Sequence, residues 1–144
     1  MGKKLGNDYL PWVPNIAGDT FNIVKGNTTL SRTRSASTID TSSKEDFPYS
    51  TQGSGSRTVS ISAAFRPNLP DADGFARLET LANGDEPFML QIRKGGVAGA
   101  DPADVVFEGL VNVTDFSDSF GQNAVVEATC TFVIAEKPLI DKLL

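Results

Sequence analysis

The chain has 144 residues, with 13 Lys and Arg against 18 Asp and Glu (net charge -5), one cysteine and no histidine. That length suits one domain, 1–144, burying roughly 68–70% of its unfolded surface. The missing histidine removes the familiar serine and cysteine triads, the imidazole base and the commonest metal ligand. A lone Cys130 makes neither a disulfide nor a zinc site, which suits a reducing compartment.

In chain order, residues 1–18 read as an N-terminal arm: Pro11 and Pro14 break up Tyr9, Leu10, Trp12, Val13 and Ile16, giving neither helical nor strand periodicity. Trp12 is expected to pack on its own domain or to dock on a partner. Gly6-Asn7-Asp8 interrupts any signal-like run after Lys3 and Lys4. No stretch nears the about 20 apolar residues that span a bilayer, so a soluble product is expected. Residues 20–24 form a short strand candidate ending at Lys25-Gly26-Asn27.

Residues 28–62 hold seventeen of the 24 hydroxyl residues of the chain. They read as a long hairpin whose strands run about 30–40 and 57–66 around a loop at 40–56. On the second strand Val59, Ile61, Ala63 and Phe65 alternate with Thr58, Ser60, Ser62 and Ala64, so one face is core and the other small and hydroxylic. A loop of that length is usually functional, and Phe47 and Tyr49 favour docking. A helix over 71–83 follows, started by Asp71 or Asp73 and stopped at Gly84, with Phe75, Leu78, Leu81 and Ala82 as its buried stripe. Phe88, Leu90 and Ile92 alternate in the next strand. Two strands or one bent pair cover 105–116, and a last strand covers about 124–135 with Cys130 as a small core residue. Residues 136–144 form a leucine-bearing tail. The sum is a mainly β chain, a β-sandwich or partial barrel of about seven or eight strands with one flanking helix.

Residues 1–66 carry eight Lys and Arg against five Asp and Glu; residues 67–144 carry five against thirteen. Arg32, Arg34, Lys44, Arg57 and Arg66 are scattered without aromatic interleaving, which argues against a nucleic-acid site. The asymmetry reads either as an ordinary solvated surface or, more sharply, as a basic surface of one copy meeting an acidic surface of the next. Asp71-Ala-Asp73-Gly74 is half a calcium loop and better read as a helix cap. Gly53-Ser54-Gly55 has no base to activate its serine. Glu108 and Glu127 are a weak candidate acid pair.

The order of features has a family likeness: an apolar arm, a hydroxyl-rich strand pair around a charged Ser/Gly hairpin, Arg57-Thr-Val-Ser-Ile-Ser-Ala-Ala-Phe65, an Asp-started helix leading to Asn83-Gly84, and a final alternating strand. It resembles the major tail tube proteins of long, non-contractile-tailed bacteriophages and of related gene transfer agents. The resemblance implies a non-enzymatic virion protein without cofactors or membrane contact, assembled in the host cytoplasm. Six copies would form a ring whose inner strands make one barrel, and rings would stack into a tube through which double-stranded DNA passes. Tape measure, tail terminator and distal tail proteins would be its partners. Lys44, Glu45, Asp46, Phe47 and Tyr49 are then the expected inter-ring hairpin contacts, with Tyr9, Trp12, Leu143 and Leu144 as secondary anchors. Ser31, Thr33, Ser35, Ser37, Ser60 and Ser62, with Glu108 and Glu127 to repel phosphate, are the expected lumen lining. Arg32 and Arg34 fall on the opposite face and should pair with acids at an interface.

A β-sandwich binding module for capsid decoration or carbohydrate recognition is the alternative, with the 40–56 loop as its ligand site. A paired-carboxylate glycosidase ranks last. The binding module expects a monomer or small oligomer with an aromatic platform, and the glycosidase expects activity lost when one acid is replaced, whereas the tube reading expects self-closure: about eight strands make a barrel just filled by side chains, and an aqueous channel needs roughly 16 or more.

Overall fold

Alternation of apolar and hydroxyl residues dictates strands with two unlike faces, and among the described residues eight strands are seen: β1 (Leu10–Pro14), β2 (Phe21–Ile23), β3 (Asn27–Asp40), β4 (Gln52–Phe65), β5 (Phe88–Arg93), β6 (Val105–Ser119), β7 (Glu127–Ile134) and β8 (Ile140–Asp141), with one α-helix, α1 (Phe75–Ala82). The computed structural model describes residues 6–15, 18, 20–67, 73–99, 101 and 103–142, without the side chains of Asn7 and Asp46. All eight strands belong to one antiparallel sheet in the order β2-β1-β5-β6-β7-β4-β3, with β8 added to β6.

β6 is the pivot. Its first half pairs with β5 (Phe88 opposite Val111) and its second half with β7 (Val111 opposite Ile134 through Ser119 opposite Glu127). The long strand thereby serves two four-stranded halves, and the sheet rolls so that their apolar faces meet. Val13, Leu90, Ile92, Phe107 and Val111 pack with Ile61, Phe65, Cys130 and Phe132 in one core. α1 plugs one end: Phe75 lies 5.9 Å from Phe65 and 6.0 Å from Phe116, centroid to centroid. The expected partial barrel with a flanking helix is thus present, and β4 alternates as read, with Val59, Ile61, Ala63 and Phe65 buried.

Four local expectations change. Residues 10–14 are no free arm but β1, hydrogen-bonded between β2 and β5, with Trp12 and Val13 buried. The prolines hid this strand by removing its alternation, yet burial of two large apolar side chains outweighs two absent N–H groups. The hairpin loop is shorter than 40–56, because β3 and β4 pair out to Asp40 opposite Gln52, leaving 41–51 as the turn. Gly53 and Gly55 are strand residues: a Cβ on Gly55 would collide with the Ser37 hydroxyl beside a register shift. The helix starts at Phe75 with Gly74 at its N-cap and no side-chain cap, so Asp73 does not cap it; Asp71 lies outside the described residues. The tail is not loose either, since Ile140 and Asp141 form β8 against Glu108 and Phe107.

The basic first half and the acidic second half of the chain meet within one molecule. Asp141 bridges Arg32 at 3.1 Å and Arg34 at 3.0 Å, and Arg66 reaches Glu127 at 3.0 Å. Arg32 also donates to the carbonyls of Val106 (3.0 Å) and Lys142 (2.8 Å), which ties β3 to β6 and the tail across the rolled sheet. Burial and neighbouring Arg34 push the Arg32 guanidinium below its ordinary pKa, while Asp141 opposes them. The interface expected for Arg32 and Arg34 is therefore internal.

Replacing Asp141 strands a guanidinium whose side chain is only 10% exposed. D141A is expected to lower unfolding free energy by about 2 kcal/mol, below the full cost of a buried pair because Arg34 and Asp141 stay partly hydrated. R34A should cost less than about 1 kcal/mol. Urea midpoints at unchanged slope measure both; equal costs would contradict the anchoring role of Arg32. Burial, aided by Asp115, pushes the Cys130 thiol up to about 12 from an ordinary value of 9.0. A raised folded-state value stabilises the native state below the unfolded value and is lost as pH rises from about 9 towards 12. Native protein should resist iodoacetamide at pH 8 and react in urea, and C130A should remove part of the stability loss above pH 9. Rapid native alkylation would contradict this burial.

Candidate assembly surface

The outer face of the second half-sheet, β6-β7-β4-β3, is set by register. Three rows run across it: Thr33–Ser60–Val133–Asn112, Ser31–Ser62–Thr131–Asp115 and Thr29–Ala64–Thr129–Ser117. Ser35 lies opposite Thr58 at one end, and Ser119 lies opposite Glu127 at the other. Within these rows no lysine or arginine occurs. The hydroxyls bond along the face, as in Ser117 Oγ to Thr129 Oγ1 at 2.7 Å. The cause is sequence alternation: each serine or threonine follows a core residue one position earlier on β4 and β7.

The structure therefore gathers Ser31, Thr33, Ser35, Ser60 and Ser62 on one surface and adds Thr129, Thr131, Asp115 and Ser117, which the sequence reading had not singled out. β7's own alternation was the available signal. Ser37 continues the β3 series into the register shift, where its hydroxyl donates to the Ser56 carbonyl at 3.5 Å. Glu127 stands at the margin of the face, paired with Arg66. Glu108 stands apart.

Glu108 belongs to a buried polar cluster on the outer side of β1 and β5. Gln91 Nε2 donates to the Glu108 carboxylate at 2.5 Å, Arg93 Nε donates to Gln91 Oε1 at 2.8 Å, and the Arg93 guanidinium lies 4.2 Å from the Trp12 ring centroid. Gln91 and Arg93 are buried although they alternate with the core residues of β5. The covering segment is the turn after β5: Gly95, at φ 91°, reverses the chain so that the Gly99 carbonyl accepts from Arg93 Nη1 at 3.2 Å. Burial lowers the Arg93 pKa, and Asp101, Glu108 and Asp104 oppose it. The alternation of Phe88, Leu90 and Ile92 gives no sign of this burial, because the cover comes from a loop without periodicity. Trp12 is an internal anchor here, Tyr9 packs half-buried on the core, and Leu143 and Leu144 lie outside the described residues.

Two borders of the hydroxyl sheet lack a partner strand among the described residues. β3 pairs with β4 alone, and β6 from Asn112 onward pairs with β7 alone. Beyond Ser60, the last β4 residue before the tip to face β7, the β3–β4 pair continues as a two-stranded ribbon. Its tip carries a 3-10 turn at Lys44–Asp46, with Lys44 and Glu45 exposed and Phe47 and Tyr49 85% and 78% exposed. The Ser43 side chain, and the backbone of Glu45 itself, hold the Glu45 carboxyl below the ordinary range. No group of three Cys, Asp or Glu residues suited to a metal is formed among the described residues.

With this geometry in view, the comparisons are direct. A family model described as phage tail tube protein matches residues 4–138. The chain is similar to a subunit in the tail of an empty gene transfer agent particle refined with C6 symmetry (TM-score 0.79, 19% identity, 96% of this chain and 98% of that one). It is also similar to a subunit of a native gene transfer agent virion (TM-score 0.74, 19% identity, 94% and 97%). The SPP1 tail tube matches with TM-score 0.72, 14% identity and 95% and 80% coverage. No curated protein matches. At these identities the structural likenesses establish the fold, and the family match over nearly the full length supplies the rest. The chain belongs to the phage tail tube protein family, as a structural component of the virion tail.

Proposed function

We propose that six copies close a ring by joining the unpaired border of β3 to the unpaired second half of β6 on the next copy. The observation that carries this reading is the pair of strand edges left open among the described residues, flanking a hydroxyl face whose one cation, Arg66 at the margin, is paired with Glu127. Open edges of this length are aggregation templates unless paired, and strand addition between copies needs only backbone groups. Six is the symmetry of the gene transfer agent tail that the chain resembles. Four strands from each copy give a barrel of about 24 strands, beyond the roughly 16 at which an aqueous channel opens.

The hydroxyl rows then line the bore. A polyanion moving through such a wall meets small neutral groups and the Asp115 carboxylate across the rows, and the one cation at the margin, Arg66, is already neutralised by Glu127. The function is passive conduction of double-stranded DNA, with no chemistry on the substrate. Rings stack into the tube, the tape measure occupies the bore before DNA does, and terminator and distal tail proteins meet the tube ends.

Electron microscopy of concentrated purified protein is expected to reveal rings or hollow filaments of uniform bore; a monomer at all concentrations would contradict ring closure. The lumen assignment has its own test. The S62K/T129K variant should still assemble, because both side chains are exposed on the face and away from its borders. Particles carrying it should eject DNA at least about 10-fold more slowly at low salt and recover at high salt, as screened phosphate contacts do. Unchanged ejection at low salt would place this face away from the DNA path.

A further inference from the structure

Among the described residues eight large apolar side chains are exposed, and six of them gather at two places. Ile39, Phe47 and Tyr49 sit at the hairpin tip; Phe120, Val125 and Val126 sit in the turn between β6 and β7. Register puts these places at opposite ends of the same sheet. Gln52 opposite Asp40 marks the tip end, while Phe65 opposite Ala128 and Ser119 opposite Glu127 mark the other. The 13 residue steps of β4 between them span about 43 Å at about 3.3 Å each.

Two patches so far apart cannot cover each other within one molecule. They meet when a second copy is translated along the strand direction, which is a head-to-tail contact that propagates. The tip also needs support: a two-stranded ribbon alone is marginal in water, and this one runs from Val59 to Gln52 without a third strand. Charge gives little net preference, since exposed Lys44 and Glu45 stand side by side at the tip and oppose one another towards Asp118 at the end of β6.

We propose that the β6–β7 turn of one ring is the seat for the hairpin tip of the next, with Phe47 and Tyr49 packed against Phe120 and Val125. The proposal rests on the ring reading above and adds the receiving surface to it. The contact is apolar, so stacking should persist in high salt where an ionic contact would weaken.

The test uses the full chain in two variants, F47S/Y49S and F120S/V125S. All four positions are more than 60% exposed, so both variants should fold, as far-UV dichroism and the emission of buried Trp12 will report. Each variant alone is expected to make rings but to lose long filaments, with mean length falling at least 10-fold. Mixing preformed rings of the two variants should give stacks of two rings and no longer, because just one intact tip can meet one intact seat. Wild-type filament lengths from F120S/V125S would overturn the proposal. So would a mixture that yields single rings only, which would mean that the tip seats elsewhere on the chain or on a different tail protein. Absence of rings from the wild-type chain would remove the ring reading itself, and that is seen before any variant is made.

Discussion

An antiparallel sheet is complete only when its border N–H and C=O groups find partners, and two borders of the hydroxyl half-sheet find no partner strand among the described residues. The rest of the structure is arranged around that incompleteness. β6 is long enough to belong to two half-sheets, so one half can be packed and anchored while its own second half stays open at the side. The core, the α1 plug and the Arg32–Asp141 tie hold the rolled sheet in shape without covering those borders. A fold that spent its tail on the β3 edge would be a closed monomer; here the tail pairs with the first half of β6 instead.

The outward chemistry follows from the same plan. If the hydroxyl face lines the bore as proposed, it can carry hydroxyls and a few carboxylates, but unpaired lysine or arginine there would hold phosphate. The basic residues near the hydroxyl stretch have other work: Arg32 and Arg34 grip Asp141 on the core side of β3, and Arg66 is engaged by Glu127 at the margin. Three of the eight cations of the first half of the sequence are thus engaged by two acids of the second half, holding one copy together.

Much of this was legible in the residues. Strict alternation over Val59–Phe65 and Ala128–Phe132 gave the two strands and their faces, because a period of two leaves one register for a half-buried sheet. That Ser31, Thr33, Ser60 and Ser62 share one outer face was readable for the same reason. Trp12 was not readable, since prolines at 11 and 14 erase the local pattern of a strand that tertiary burial stabilises. The place of Glu108, beside Gln91 and away from the hydroxyl face, was not readable, because nothing local to β6 announces that Gln91 and Arg93 lie beneath a turn folded over β5. Asp141 gave no sign either: a short tail strand acquires its role from residues more than a hundred positions away.

Backbone amide hydrogen exchange in the single subunit and in the assembled tube tests the central claim most directly. Residues 29–35 and 113–119 are expected to exchange rapidly at their outward-facing amides in the isolated subunit and to be protected by orders of magnitude on assembly, while β5 and the core of β4 change little. Equal protection of those two borders before and after assembly would contradict edge-to-edge closure.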